Sequence, residues 1–173
     1  MKKRVKLLTT IASLCLAVAL MAFGVYAANS VNLTASGKVT FTSTDISGAW
    51  SLAVAVENGT PNAPTATITG ETATIPNVLI TDISQECVIT LTATFTNSST
   101  TGATLAAPTI NAADGTGYTF SGALVSEASQ LTVEAGNGET GVVVVKLTLK
   151  VTDLTQSNTA GVDYSVAFTA TSK

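Results

Sequence analysis

Few residues in this 173-residue chain are able to do covalent or acid–base work. Histidine is absent, which removes the commonest general base and transition-metal ligand. The two cysteines are Cys15 and Cys87. Cys15 follows Leu14 in an apolar N-terminal run, without the small preceding residue of a lipidated cysteine. Cys87 stands in phase with Ile89, Leu91 and Phe95, so it reads as a buried core thiol with no cation nearby to activate it. One cysteine in the folded part leaves no intramolecular disulfide to form there.

The 11 acidic residues are scattered. Asp82 with Glu86, or Glu134 with Glu139, are close enough to meet in a loop, but no D-x-D-x-D-G run builds a calcium loop. A pair of carboxylates for glycoside hydrolysis would want a cleft lined by aromatic rings for sugar stacking. Here Tyr164 and Phe168 fall on an apolar strand face, and Trp50 is in phase with Leu52 and Val54, so these rings read as core. Lys38, Lys146 and Lys150 alternate outward, which argues against the buried Lys–Asn cross-links of some surface pilins. The sequons at Asn32, Asn58 and Asn97 are unsurprising in a Thr-rich chain. No catalytic, cofactor-binding or metal-binding residue is assigned, and an enzyme is not expected.

The elements that would carry any function begin behind a leader. Met1–Lys6 (MKKRVK) is basic, Leu7–Gly24 is uncharged and largely apolar, and Val25-Tyr26-Ala27 ends in the small residues that a signal peptidase reads, with Ala28 next. This is the pattern of a secretory signal peptide, residues 1–27, helical in its apolar part and cut between Ala27 and Ala28. The other reading is a retained anchor, the only membrane contact that the sequence offers. The chain is therefore expected to act outside the cell or at its surface, in a bacterial setting. Residues 28–173 keep four lysines, no arginine and all 11 acids, a net charge of −7. So acidic a surface cannot hold phosphate backbones, which excludes nucleic acid as a partner.

The mature part is Thr- and Val-rich and alternates with period two. Cys87–Thr96, Val143–Thr152 and Val162–Thr171 each put an apolar row opposite a Thr-rich row. Val31–Thr42, with a bend or bulge at Gly37, and Trp50–Val56 alternate likewise, and Thr65–Ile75, Val78–Ile80, Leu105–Ile110 and Tyr118–Leu124 complete the set. Turn signals separate them, among them Asn58-Gly59, Pro76-Asn77 and Asn137-Gly138. The expected fold is all-β: one antiparallel β-sandwich over residues 28–173, Ig-like or jelly-roll, with eight or nine strands.

Ile80-Thr81-Asp82-Ile83, followed by the strand Leu91–Ser98 ending in F-T-N-S, resembles the TasA/camelysin group of secreted biofilm-matrix proteins. Ala28-Asn29-Ser30-Val31 stands where that group typically has Tyr-Phe-Ser-Asp or similar. The resemblance implies a matrix or surface-filament subunit that self-associates, or joins other surface proteins, by strand donation. The mature N-terminus, with Val31, Leu33 and Ala35 on one face, suits a donor strand, in trans to a neighbour or in cis as the first strand of its own sheet. The alternative is a monomeric adhesion or glycan-binding module that works through its loops. The run Gly141–Val145 is a second low-charge, β-prone segment that needs cover.

Overall fold

The computed structural model describes residues 33–80, 82–153 and 161–173. The leader 1–27, the Ala27–Ala28 junction and Val31 lie outside these residues. The strands are β1 (Thr34–Thr44), β2 (Gly48–Glu57), β3 (Gly59–Thr60), β4 (Thr67–Thr69), β5 (Thr72–Ile80) and β6 (Cys87–Asn97), followed by β7 (Ala103–Leu105), β8 (Thr109–Asn111), β9 (Tyr118–Leu124), β10 (Thr132–Val133), β11 (Thr140–Val151) and β12 (Val162–Ser172). The only helix among the described residues is a four-residue 3-10 turn, Ala128–Leu131. The all-β expectation holds.

A larger sheet runs β10-β7-β12-β1-β5-β3, with β8 also on β12 and β4 also on β5. A smaller sheet runs β2-β6-β11-β9. Alternation in the sequence becomes alternation in burial: β6 reads buried and half-buried in strict turn from Cys87 to Asn97. β11 and β12 keep Val143, Val145, Leu147 and Leu149, and Val162, Tyr164, Val166, Phe168 and Ala170, out of water. Rings from both sheets touch at the core: Phe41 of β1 lies 5.3 Å from Trp50 of β2. Trp50 in turn lies 5.1 Å from Phe95 and 6.1 Å from Phe168. Such ring pairs add to the area they bury.

Three expectations need correction. The arrangement is not wholly antiparallel, because β1 and β12 run parallel, from Ala35 opposite Val162 to Thr44 opposite Thr171. Alternation reports which face a residue takes and is silent about the direction of the neighbour. The described strands number 12 rather than eight or nine: Leu105–Ile110 breaks at Ala106–Pro108 into β7 and β8, the two-residue β3 and β10 are added, and Thr65–Ile75 folds as a β4–β5 hairpin across Gly70-Glu71 whose β5 takes in Val78–Ile80. Finally, Pro76-Asn77 is not a turn. β5 runs through it, with Ala35 opposite Val78 and Gly37 opposite Ile75, so β5 carries the extra residue of a bulge. A bulge is where a proline, lacking its N–H, is tolerated inside a strand.

Candidate functional site

The sequence points first to the N-terminal strand. Leu33 (1 % exposed) and Ala35 (0 %) are in the core, and with Val39 and Phe41 they form the inward row of β1. β1 occupies a slot between two long strands, β12 on one side and β5 on the other. Ser36 Oγ donates to the Asp163 carboxylate across the parallel seam. Three residues, Asp45-Ile46-Ser47, carry the chain from β1 in the larger sheet to β2 in the smaller. Asp45 has φ +56, a left-handed conformation that a non-glycine residue seldom takes. In the described fold Leu33 and Ala35 therefore fill their own sheet.

Burying β1 is worth much to the fold. Leu33, Val39 and Phe41 together bring on the order of 8 kcal/mol of apolar burial, at about 1.5–3 kcal/mol each. That is comparable with the whole stability of a domain, about 5–15 kcal/mol. The strand cannot leave its slot unless an equivalent strand refills it.

The other candidates separate cleanly. Cys87 is fully buried, and desolvation pushes its thiol up to about 11. It is a core residue and a poor nucleophile near neutrality. Asp82 and Glu86 do not converge. The Asp82 carboxylate accepts from Ser84 Oγ (2.6 Å), Ser84 N (2.9 Å) and Gln85 Nε2 (2.8 Å), and these bonds, chiefly the Ser84 hydroxyl's, hold its pKa below the usual value. Glu86 instead sits 3.6 Å from Lys150 on the surface. Among the described residues no three His, Cys, Asp or Glu side chains gather in a way that could hold a metal ion. No helix among the described residues is long and apolar enough to cross a membrane.

Two polar side chains are buried: Asn97, which the sequence marks only as a sequon, and Tyr164, which it places in the core. Asn97, at the end of β6, is fully buried and ties three loops together. Its Nδ2 donates to Thr101 O (2.7 Å) and Glu134 O (3.1 Å), its Oδ1 accepts from Ser99 N (2.9 Å), and its main chain bonds Glu139 and Gly138. Its sequon is inaccessible in the folded state. The second is Tyr164, whose hydroxyl is buried with no partner among the described residues. Its ring lies across Gly37 so closely that a Cβ there would overlap both ring and hydroxyl. Phe120 packs edge-on to the same ring at 5.8 Å. The paired registers Gly37↔Tyr164 are visible only once the parallel seam is known.

A shallow cavity of about 320 Å³ opens over this seam, lined by Ser36, Lys38, Asn77, Asp163 and Tyr164 among others. A second of similar volume lies between the end of β1, the start of β2 and the β4–β5 hairpin. No protein-family model matches this chain, and no curated protein does so either.

Proposed function

We propose that this chain is a secreted, non-enzymatic structural protein, a subunit of an extracellular matrix or surface filament, assembled by donation of its N-terminal strand to a neighbour. On this reading the two sheets close as a β-sandwich of Ig-like or jelly-roll kind, and the leader is removed at Ala27–Ala28. The resemblance to TasA/camelysin proteins suggests the mode of assembly. The observation that carries the reading is the position of β1: first strand of the mature chain, central in its sheet, and joined to the rest by three residues with one in a left-handed conformation. Donation here means exchange, with a neighbour's β1 occupying the slot between β12 and β5. The exchanged slot has the contacts of the original one, and opening the Asp45–Ser47 connection releases its strain.

The test is a pair of cysteines at registered partners, Thr42→Cys with Thr169→Cys, in residues 28–173. Exchange gives covalent ladders on a non-reducing gel and filaments by negative-stain microscopy, both lost on deleting residues 28–36. A protein that closes the bridge only within one chain, stays monomeric at every concentration and binds glycans overturns the reading in favour of a binding module.

A further inference from the structure

Edges of sheets are usually guarded, and three of the four here are. On one side of the larger sheet β7 and β8 are short pieces split by Ala106–Pro108, with the two-residue β10 beyond β7. On the other, β3 and β4 cover β5 only in fragments, with Pro61 and Pro64 between them. At the β9 edge of the smaller sheet, the outward Phe120 N–H is taken by Asp114 Oδ1 at 2.7 Å, and Gly115 bridges Tyr118. Short pieces, prolines and side-chain plugs are the usual means of preventing strand addition.

The β2 edge is plugged only at its C-terminal end. Val56 N donates outward to Asn62 O at 2.6 Å, and alternation puts the main-chain groups of Trp50, Leu52 and Val54 on that same outer side. Among the described residues no main-chain partner is recorded for those three on that side. The strand is ten residues long, and no charge or proline occurs from Gly48 to Val56. Its solvent face is small (Ala49, Ser51, Ala53 and Ala55, all exposed), while Trp50 and Leu52 on the inner face are only half-buried. The groove beside it is mixed, with Phe41, Trp50 and Ile68 (41 % exposed) next to Ser43 and Glu71.

We propose that the β2 edge is a lateral self-association surface, pairing antiparallel with β2 of a second copy about a two-fold axis through Ser51. The argument for a second copy is electrostatic and geometric. Two copies of residues 28–173, each of net charge −7, repel over most of their surface, so they approach only across a neutral stretch, and 46–56 is neutral. A two-fold axis matches the strand to itself, joins two four-stranded sheets into one of eight, and closes without propagating. The flanking Asp45 and Glu57 come to the rim of the pair, where opposite copies bring like charges near each other. Pairing should therefore strengthen with salt, as the screening length falls from about 30 Å at 0.01 M to about 8 Å at 0.15 M. This surface is independent of the N-terminal strand.

The test uses residues 28–173 carrying Ser51→Cys, with Lys146→Cys on the exposed face of central strand β11 as control; native Cys87 is fully buried. Under a copper–phenanthroline oxidant, the paired edge should dimerise Ser51→Cys about tenfold or more faster than the control, because pairing holds the thiols at high effective concentration. The excess should grow with salt. Adding Ala53→Glu, a further negative charge on the exposed edge, should bring the rate down to the control with an unchanged melting temperature. Equal rates for Ser51→Cys and the control, or an excess that survives Ala53→Glu, overturn the proposal. Loss of filaments on deleting 28–36 with Ser51 cross-linking intact shows that this surface stands even where β1 is the longitudinal link. Filaments without Ser51 cross-linking refute this surface alone.

Discussion

Replacing Tyr164 by Phe tests the core from the inside. The hydroxyl is buried with no partner among the described residues, and an unpaired buried polar group costs about 1–3 kcal/mol. The ring stays, so packing against Phe120 and Gly37 is kept. Tyr164→Phe should therefore stabilise the fold by about 1 kcal/mol near pH 7, raising the melting temperature by about 3 °C in a domain of this size. Urea unfolding should show a higher midpoint with an unchanged slope.

The same substitution has a pH signature with a definite sign. Burial, with Cys87 nearby, pushes the Tyr164 phenol well above its ordinary value. Above about pH 10 the unfolded tyrosine loses its proton while the folded one keeps it, so the unfolded state is favoured by about 1.4 kcal/mol per pH unit. Wild type should lose stability on this slope, and Tyr164→Phe should lose correspondingly less. A variant less stable than wild type by 1 kcal/mol or more at pH 7, or with an identical alkaline slope, refutes the assignment. The hydroxyl would then have a partner worth keeping.

Asn97→Ala should destabilise by about 1–3 kcal/mol, since Glu134 O and Ser99 N lose their side-chain partner while Thr101 O keeps only Ser99 Oγ, and Asn97→Asp should be no better because it loses both donors; chemical denaturation checks both. Cys87 should resist thiol reagents in the native protein and react only on unfolding. Its stability term is fully present below about pH 9, the unfolded value, and is lost as pH rises through about 11, up to about 3 kcal/mol; Cys87→Ala, compared with wild type from pH 7 to 11, reads this directly. Gly37→Ala should cost about 1–3 kcal/mol by overpacking against Tyr164, and much less in a Tyr164→Ala background, a coupling that a double-mutant cycle measures. Trp50→Ala should cost about 3 kcal/mol through its contacts with Phe41, Phe95 and Phe168.

The faces of the strands were legible in the sequence, but their neighbours were not. Period two marks Cys87, Ile89, Leu91, Ala93 and Phe95 as inward without any structure, and Tyr118–Leu124 matches its strand to the residue. The same pattern placed Tyr164 and Trp50 on inward faces, yet Trp50 is half-buried because its strand lies at an edge. Edge or centre is decided by pairing, which depends on residues far away in the chain. Pro76 misled because a proline signals a turn locally, while the bulge that accommodates it is a property of two strands. Asn97 gave no signal, since its three side-chain bonds reach main-chain atoms whose sequence is irrelevant to the contact.

The parallel seam has a consequence for when the fold can close. β1 and β12 are the first and last described strands, and they are neighbours in the middle of the larger sheet. The smaller sheet closes over shorter separations, since β6 takes β2 and β11 as partners. Loop closure over the whole chain is the slower step, because its entropy must be overcome before the contacts form. β1 pairs β5 over separations like those of the smaller sheet, so the seam between β1 and β12 is the last part of the larger sheet to close. Until it closes, β12 can take a neighbour's β1 on the same contacts as its own, and local concentration decides between them. Strand exchange on the proposed reading should therefore be set during folding, so mature protein refolded at high concentration should assemble where diluted, already folded protein does not.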